Sequence, residues 1–212
     1  MVKPMQKISL RMRRLVADLV HDCSGIAATE FAVIGPVMLL LFFGTLEFSS
    51  AIAVDRKVTL VSRTLADLTS QSISVSSTDL ANFTTTGKAM MTPYTTTPLA
   101  STPLNATITE LWIDPATGNA KVQWSQGSAP RATSSVVAIS SNLIAKDSNG
   151  NVIAGQYLIF SEVNYTYIPA VGYVMAKAGI TLRDSAYTRP RQTSCVIYPT
   201  PTGGVWPACP TL

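Results

Sequence analysis

Phe31-Ala-Val-Ile-Gly-Pro36-Val-Met-Leu-Leu-Leu-Phe-Phe-Gly44-Thr-Leu46 is a run without a formal charge, closed at either end by Glu30 and Glu47. As a helix its sixteen residues span about 24 Å, short of a hydrocarbon core of about 30 Å. Ala27 and Ala28 before it, and Phe48 to Val54 after it, extend the span, so one membrane helix is predicted over roughly residues 30–54. Pro36 lies inside and loosens helical hydrogen bonding; Gly35 and Gly44 leave room for neighbours. A carboxylate at the start of such a helix is costly in lipid, so Glu30 calls for a partner.

Working outward toward the N-terminus, residues 1–25 hold Lys3, Lys7, Arg11, Arg13 and Arg14 against Asp18 and Asp22, a balance of +3. The whole chain carries +4, so the remaining residues contribute only +1. The basic character belongs to the leader, and no nucleic-acid surface is read from it. Cations just before an apolar helix place the N-terminus in the cytoplasm. Ile8, Met12, Leu15 and Leu19 fall on one helical face, which predicts an amphipathic leader helix. Cys23 falls on the cytoplasmic side and is expected reduced.

Toward the C-terminus the helical pattern outlasts the membrane. Val58, Val61, Leu65 and Leu68 continue at steps of three, four and three, while Asp55, Arg56, Lys57, Arg63 and Asp67 take other faces. A continuous helix over 26–69 is predicted, roughly 65 Å long. Its outer half needs something to pack on. Ser77 or Thr78 begins a second short helix ending near Met91, and the Thr- and Pro-rich stretch 95–103 reads as a surface linker.

From residue 106 the period changes to two. Ile108 to Ile113 and Ala120 to Gln126 flank the turn-rich Asp114-Pro-Ala-Thr-Gly-Asn119, which predicts a hairpin. Residues 137–145 read as a short helix and Asp147-Ser-Asn-Gly-Asn151 as a turn. Gln156 to Ile168 is rich in Tyr, Phe, Val and Ile and reads as a strand. A helical crossing near 171–177 leads to a last strand over 180–188. The fold class is therefore α+β: a long N-terminal membrane helix running into a small antiparallel sheet whose apolar face the helix covers. The implied domains are a leader (1–25), the membrane helix with its amphipathic extension (26–69), and an exported domain (70–212).

Cys195 and Cys209 are the only cysteines beyond the membrane segment. Between them lie Pro199, Pro201, Gly203, Gly204 and Pro207, without apolar periodicity, so a disulfide is expected to staple this loop. For a loop of about 15 residues the chain-entropy gain is about 3 kcal/mol, and export makes the bond chemically possible. The sole histidine, His21, lies in the leader, so the outer domain lacks Ser-His-Asp and Cys-His arrangements and any metal cluster of ordinary spacing. Asp114 and Asp147 read as turn residues. No catalysis and no cofactor are expected.

The densest local signal is Gly25-Ile26-Ala27-Ala28-Thr29-Glu30-Phe31. It resembles a prepilin processing site: a glycine, the cleaved bond, then glutamate at the fifth mature position before an apolar helix. Cleavage after Gly25 would free the α-amine of Ile26, and Glu30 would neutralise such an amine, its own or a neighbour's. The longer stretch from Gly25 through Pro36 to Gly44-Thr-Leu-Glu47-Phe48 resembles the start of TadE-like proteins, minor pilins or pseudopilins of the tight-adherence (Flp) pilus system. Glu162-Val-Asn-Tyr165-Thr-Tyr167-Ile-Pro169 and Arg189-Pro-Arg191 also resemble that family's outer domain. The resemblance implies a single-pass protein of a bacterial inner membrane with its C-terminal domain outside the cytoplasm. The implied partners are other pilins and pseudopilins, the inner-membrane assembly platform and a prepilin peptidase. Two other readings compete. Ala51-Ile52-Ala53 has the form of a secretory cleavage site that would release 54–212. A membrane-anchored or secreted adhesin unconnected to a pilus would use the tyrosines as a contact surface.

Overall fold

The computed structural model describes residues 16, 18, 25–96, 98–169, 179–199 and 209. The expected leader helix and the crossing near 171–177 lie outside the described residues. The chain divides into two units, 1–46 and 47–212.

In the first unit, Ile26 opens helix α1, which continues into the second unit and ends at Ser70. Pro36 stands inside the helix. From Phe31 to Leu46 the large apolar side chains are exposed, Phe31 and Val33 by 73% each. Full exposure of so many apolar groups is stable only in an apolar solvent. This is the one described helix long and apolar enough to cross a membrane.

The second unit is built on the rest of α1. Val54, Val58, Val61 and Leu65 are completely buried, the face expected from their spacing; Leu68 is only partly covered. Burying each such side chain contributes about 1.5–3 kcal/mol. After a break at Ser72–Val75, helix α2 (Ser77–Met90) turns back over α1. Its cap is Ser76, one residue before the expected position. Ser76 and Asp79 form a reciprocal capping box, with Asp79 N–H donating to Ser76 Oγ (3.1 Å) and Ser76 N–H to Asp79 Oδ2 (2.9 Å). The two helices touch at Gly87, where a Cβ would stand 2.9 Å from Val61 Cγ1. Lys57 of α1 then satisfies the carbonyls at the end of α2, donating to Met90 O (3.0 Å) and Thr92 O (2.6 Å).

Five antiparallel strands follow: β1 (Leu104–Ile113), β2 (Ala120–Gly127), β3 (Val136–Val137), β4 (Tyr157–Tyr167) and β5 (Ile180–Thr188). Their order in the sheet is β3-β2-β1-β4-β5. The hairpin β1–β2 and strands β4 and β5 stand where the alternation placed them. Gly127 ends β2 at φ 137°, so close to β1 that a Cβ would strike Ala106 O at 2.2 Å.

The expected helix over 137–145 is absent. Val136–Val137 instead pair with Lys121 and Ala120, and only a 3-10 turn, Ser141–Leu143, follows. Two β-branched residues prefer a strand, and Ser140 holds an extended backbone that stops any earlier helix. This segment has a packing task. Leu143, Ile144 and Val152 cover a second apolar face made by Leu111, Ile113, Val122, Leu158 and Phe160. The first face packs Leu104, Ile108, Ile159 and Val163 beneath α1 and α2, with Leu182 and Ala186 of β5 at its margin. The sheet is therefore covered on both sides. The buried side chains beneath the helices come mainly from β1 and β4.

Candidate functional site

The candidate residues form three separate places. At the start of α1, Gly25 lies in an exposed turn, and a Cβ built there would meet nothing within 4 Å. Its carbonyl accepts the Thr29 N–H at 3.0 Å, and Thr29 Oγ1 donates to Ile26 O at 2.8 Å. The Gly25–Ile26 peptide thus lies at an open helix start. Glu30 is exposed, one helical turn beyond Ile26 and on the same face. It has no hydrogen-bond or ion-pair partner among the described residues.

Glu47 behaves oppositely. It is 5% exposed, and Tyr167 Oη donates to Glu47 Oε2 at 3.0 Å across 120 residues of sequence. Burial raises the Tyr167 phenol above its ordinary range, and the Glu47 carboxylate adds to the shift. The Tyr94 ring meets Tyr167 edge-on at 6.4 Å, and Tyr165 Oη donates to Tyr94 O at 2.6 Å. Alternation along β4 puts Tyr165 and Tyr167 on one face. Glu47 and Tyr167, each within a stretch on which the family resemblance rests, therefore meet in space.

The third place was not read from the sequence. Glu110 of β1 is 1% exposed. Its Oε1 accepts from Val196 N–H at 2.5 Å, and its Oε2 accepts from Trp124 Nε1–H at 2.9 Å; the same indole also donates to Val196 O at 2.8 Å. A bulge between Glu110 and Leu111 sets Trp124 directly opposite Glu110. Burial pushes the carboxyl up to about 8, against the downward pull of the Val196 and Trp124 donors. Beside this clamp, Cys195 is disulfide-bonded to Cys209 and packs with Trp112 and Tyr157. The tail is also tied to α1: Arg191 N–H donates to Ser70 O at 2.8 Å and its guanidinium pairs with Asp67. Ile197 bonds across to Ile73 and Val75. Glu110 had one available signal, a carboxylate amid strand-forming apolar residues. Its partner Val196 is 86 residues away.

The remaining carboxylates are structural. Asp114 accepts from Ala116 N–H (2.9 Å) and pairs with Lys121; Asp147 accepts from Asn149 N–H (2.9 Å) and Asn151 N–H (2.8 Å). Glu162 forms an ion pair with Arg131. Among the described residues no group of three His, Cys, Asp or Glu side chains is placed to hold a metal.

An exposed apolar helix that continues into a small α+β domain is compatible with a single-pass membrane anchor. A family model described as TadE-like protein matches residues 25–67, and over that segment the chain is similar to that family. The match begins at Gly25 and runs beyond the apolar stretch, through the part of α1 that carries the domain core. No curated protein and no solved structure matches the chain.

Proposed function

We propose that this chain is a minor pilin, or pseudopilin, that supports assembly of a Flp-type pilus from a bacterial inner membrane and performs no chemistry of its own. One observation carries the reading: Glu30 heads the apolar helix, exposed and unpaired among the described residues, within the TadE-like segment. A carboxylate entering lipid is stabilised by an amine. Cutting the Gly25–Ile26 bond supplies one on the same helical face, either its own or that of an adjacent subunit. Partners are accordingly other pilins and pseudopilins, the assembly platform and a prepilin peptidase. The N-terminus lies in the cytoplasm and the sheet domain on the far side of the membrane. Residues 1–25 serve as a topogenic leader.

Release by cleavage after Ala53 is disfavoured on structural grounds. Ala51 packs against the domain core and Glu47 is bonded to Tyr167, so that cut would remove part of the folded domain. N-terminal mass mapping of membrane-purified protein separates the possibilities. A mature end at Ile26 supports processing, an uncut end leaves an anchored assembly factor, and an end at Val54 overturns the proposal. Glu30→Gln is expected to insert and fold normally yet abolish piliation; full piliation with that variant refutes the role given to Glu30.

A further inference from the structure

The two edges of the sheet are built differently. β3 is two residues long and offers almost no backbone to a newcomer. β5 runs nine residues and pairs with β4 in one unbroken register, from Ile159↔Thr188 to Tyr167↔Ile180. It contains neither Pro nor Gly, and among the described residues no strand lies on its other side. In an antiparallel edge strand every second residue turns both N–H and C=O away from its neighbour, so about four residues here present open backbone groups. Such edges are ordinarily blunted by shortness, bulges, proline, charged side chains or a cover. Here the device along the middle of the strand is charge: exposed Arg183 and half-buried Asp184 stand between exposed Thr181 and Ser185.

Charge around this edge is mixed, with arginine in surplus: Arg63, Arg183 and Arg191 against Asp67 and Asp184. A groove of about 380 Å³ opens beside the C-terminal half of β5, lined by Arg63, Thr64 and Asp67 of α1, Tyr187 and Thr188 of β5, and Arg191. Arg191 is occupied by Asp67, whereas Arg63 and Arg183 are exposed and have no ion pair among the described residues. We propose that the β5 edge and its arginine groove are a docking site for an extended, carboxylate-bearing peptide segment of another protein, which adds to the sheet as a sixth strand. A second backbone matches in register a row of donors and acceptors extending about 30 Å, replacing the water that otherwise satisfies it. Alternate side chains of that strand fall over the groove, where a carboxylate meets Arg63. This inference rests on the sheet domain alone and is independent of the role given to Glu30.

The test uses the full chain in lipid nanodiscs and three labelled octapeptides. One is acetyl-Thr-Glu-Val-Glu-Val-Glu-Val-Thr-amide, the second has Lys for each Glu, and the third is the acidic peptide N-methylated at alternate peptide groups. The acidic peptide is expected to bind at least ten-fold more tightly than the lysine peptide and to slow amide exchange within 180–188. The N-methylated peptide is expected not to bind. Arg63→Glu combined with Arg183→Glu should reverse the charge preference while leaving the urea midpoint unchanged. Equal binding of all three peptides, or protection confined to other strands, overturns the proposal. So does concentration-dependent protection of 180–188 without peptide, which would assign the edge to a second copy of this chain.

Discussion

Replacing Glu110 by Gln should remove most of the pH dependence of folding stability in the outer domain. The carboxyl is pushed up to about 8 in the folded chain, from an ordinary value of 4.5. Between those limits the folded protein holds a proton that the unfolded chain releases, so stability falls as pH rises. The contribution is fully present below pH 4.5 and is lost as pH passes 8. Each unit of pH within the window changes stability by about 1.4 kcal/mol, and the full window amounts to roughly 4–5 kcal/mol. Few other groups obscure the slope, because the sole histidine is His21 in the leader. Glutamine does not titrate, so the variant should be flat from pH 5 to 8. It also presents an NH2 where Glu110 offered a second acceptor to Val196 N–H and Trp124 Nε1–H. Leaving one buried donor unmatched costs about 1–3 kcal/mol. The variant should therefore be weaker than the parent at pH 5 and stronger at pH 9. Urea unfolding of the full chain in detergent, followed by Trp fluorescence with the disulfide intact, reads both curves. A parental stability that is level or rises from pH 5 to 8, or a slope retained in Glu110→Gln, would refute the reasoning.

Leu65→Ala removes a completely buried side chain beneath Gly87 and should destabilise the domain by about 2–5 kcal/mol, read as a lower urea midpoint. An unchanged midpoint would place the core elsewhere. Cys209→Ser, judged against the oxidised parent, should cost about 3 kcal/mol for the 14-residue separation, and amide exchange should rise first in 191–198. Uniform loss across the sheet would mean that the tail is not a separable latch. Tyr167→Phe deletes the hydroxyl facing Glu47 and should cost about 1–3 kcal/mol while leaving membrane insertion intact. A midpoint equal to the parent's would show that this bond adds nothing to stability.

The parts of the fold legible in the sequence are those whose periodicity is unmixed. Val58, Val61 and Leu65 announced the buried stripe of α1 because polar residues occupy the other faces. The β1–β2 hairpin was marked by Asp114 to Asn119. Residues 137–145 misled because Val137, Leu143 and Ile144 are spaced ambiguously; their real constraint is the second face of the sheet, which only the assembled strands define. Leu68 fits the helical stripe, but the sheet no longer fully covers it at that end of α1. The sequence singled out Gly25, Glu30 and both cysteines through local pattern, and the cysteines are bridged. It gave no sign that Glu110 would hold Val196, or that Glu47 would meet Tyr167. Those pairings join distant segments through single polar contacts, and a lone carboxylate in a strand or helix carries no spacing to reveal its partner.

The two glutamates that bracket the apolar run show why the proposed function rests on one of them. Both stand on α1, and both would be costly in hydrocarbon as isolated charges. Glu47 is already accommodated by the fold of its own domain, with Tyr167 donating to it and the domain burying all but 5% of its surface. Its replacement is therefore a question of stability. Glu30 receives nothing comparable from the described residues of its own chain, and it is no part of the folded domain. A carboxylate without an internal partner is a persistent cost to an isolated anchor, whereas it becomes favourable once an amine is delivered beside it. The asymmetry between these two residues is the physical argument for reading α1 as an assembly element rather than as a tether alone.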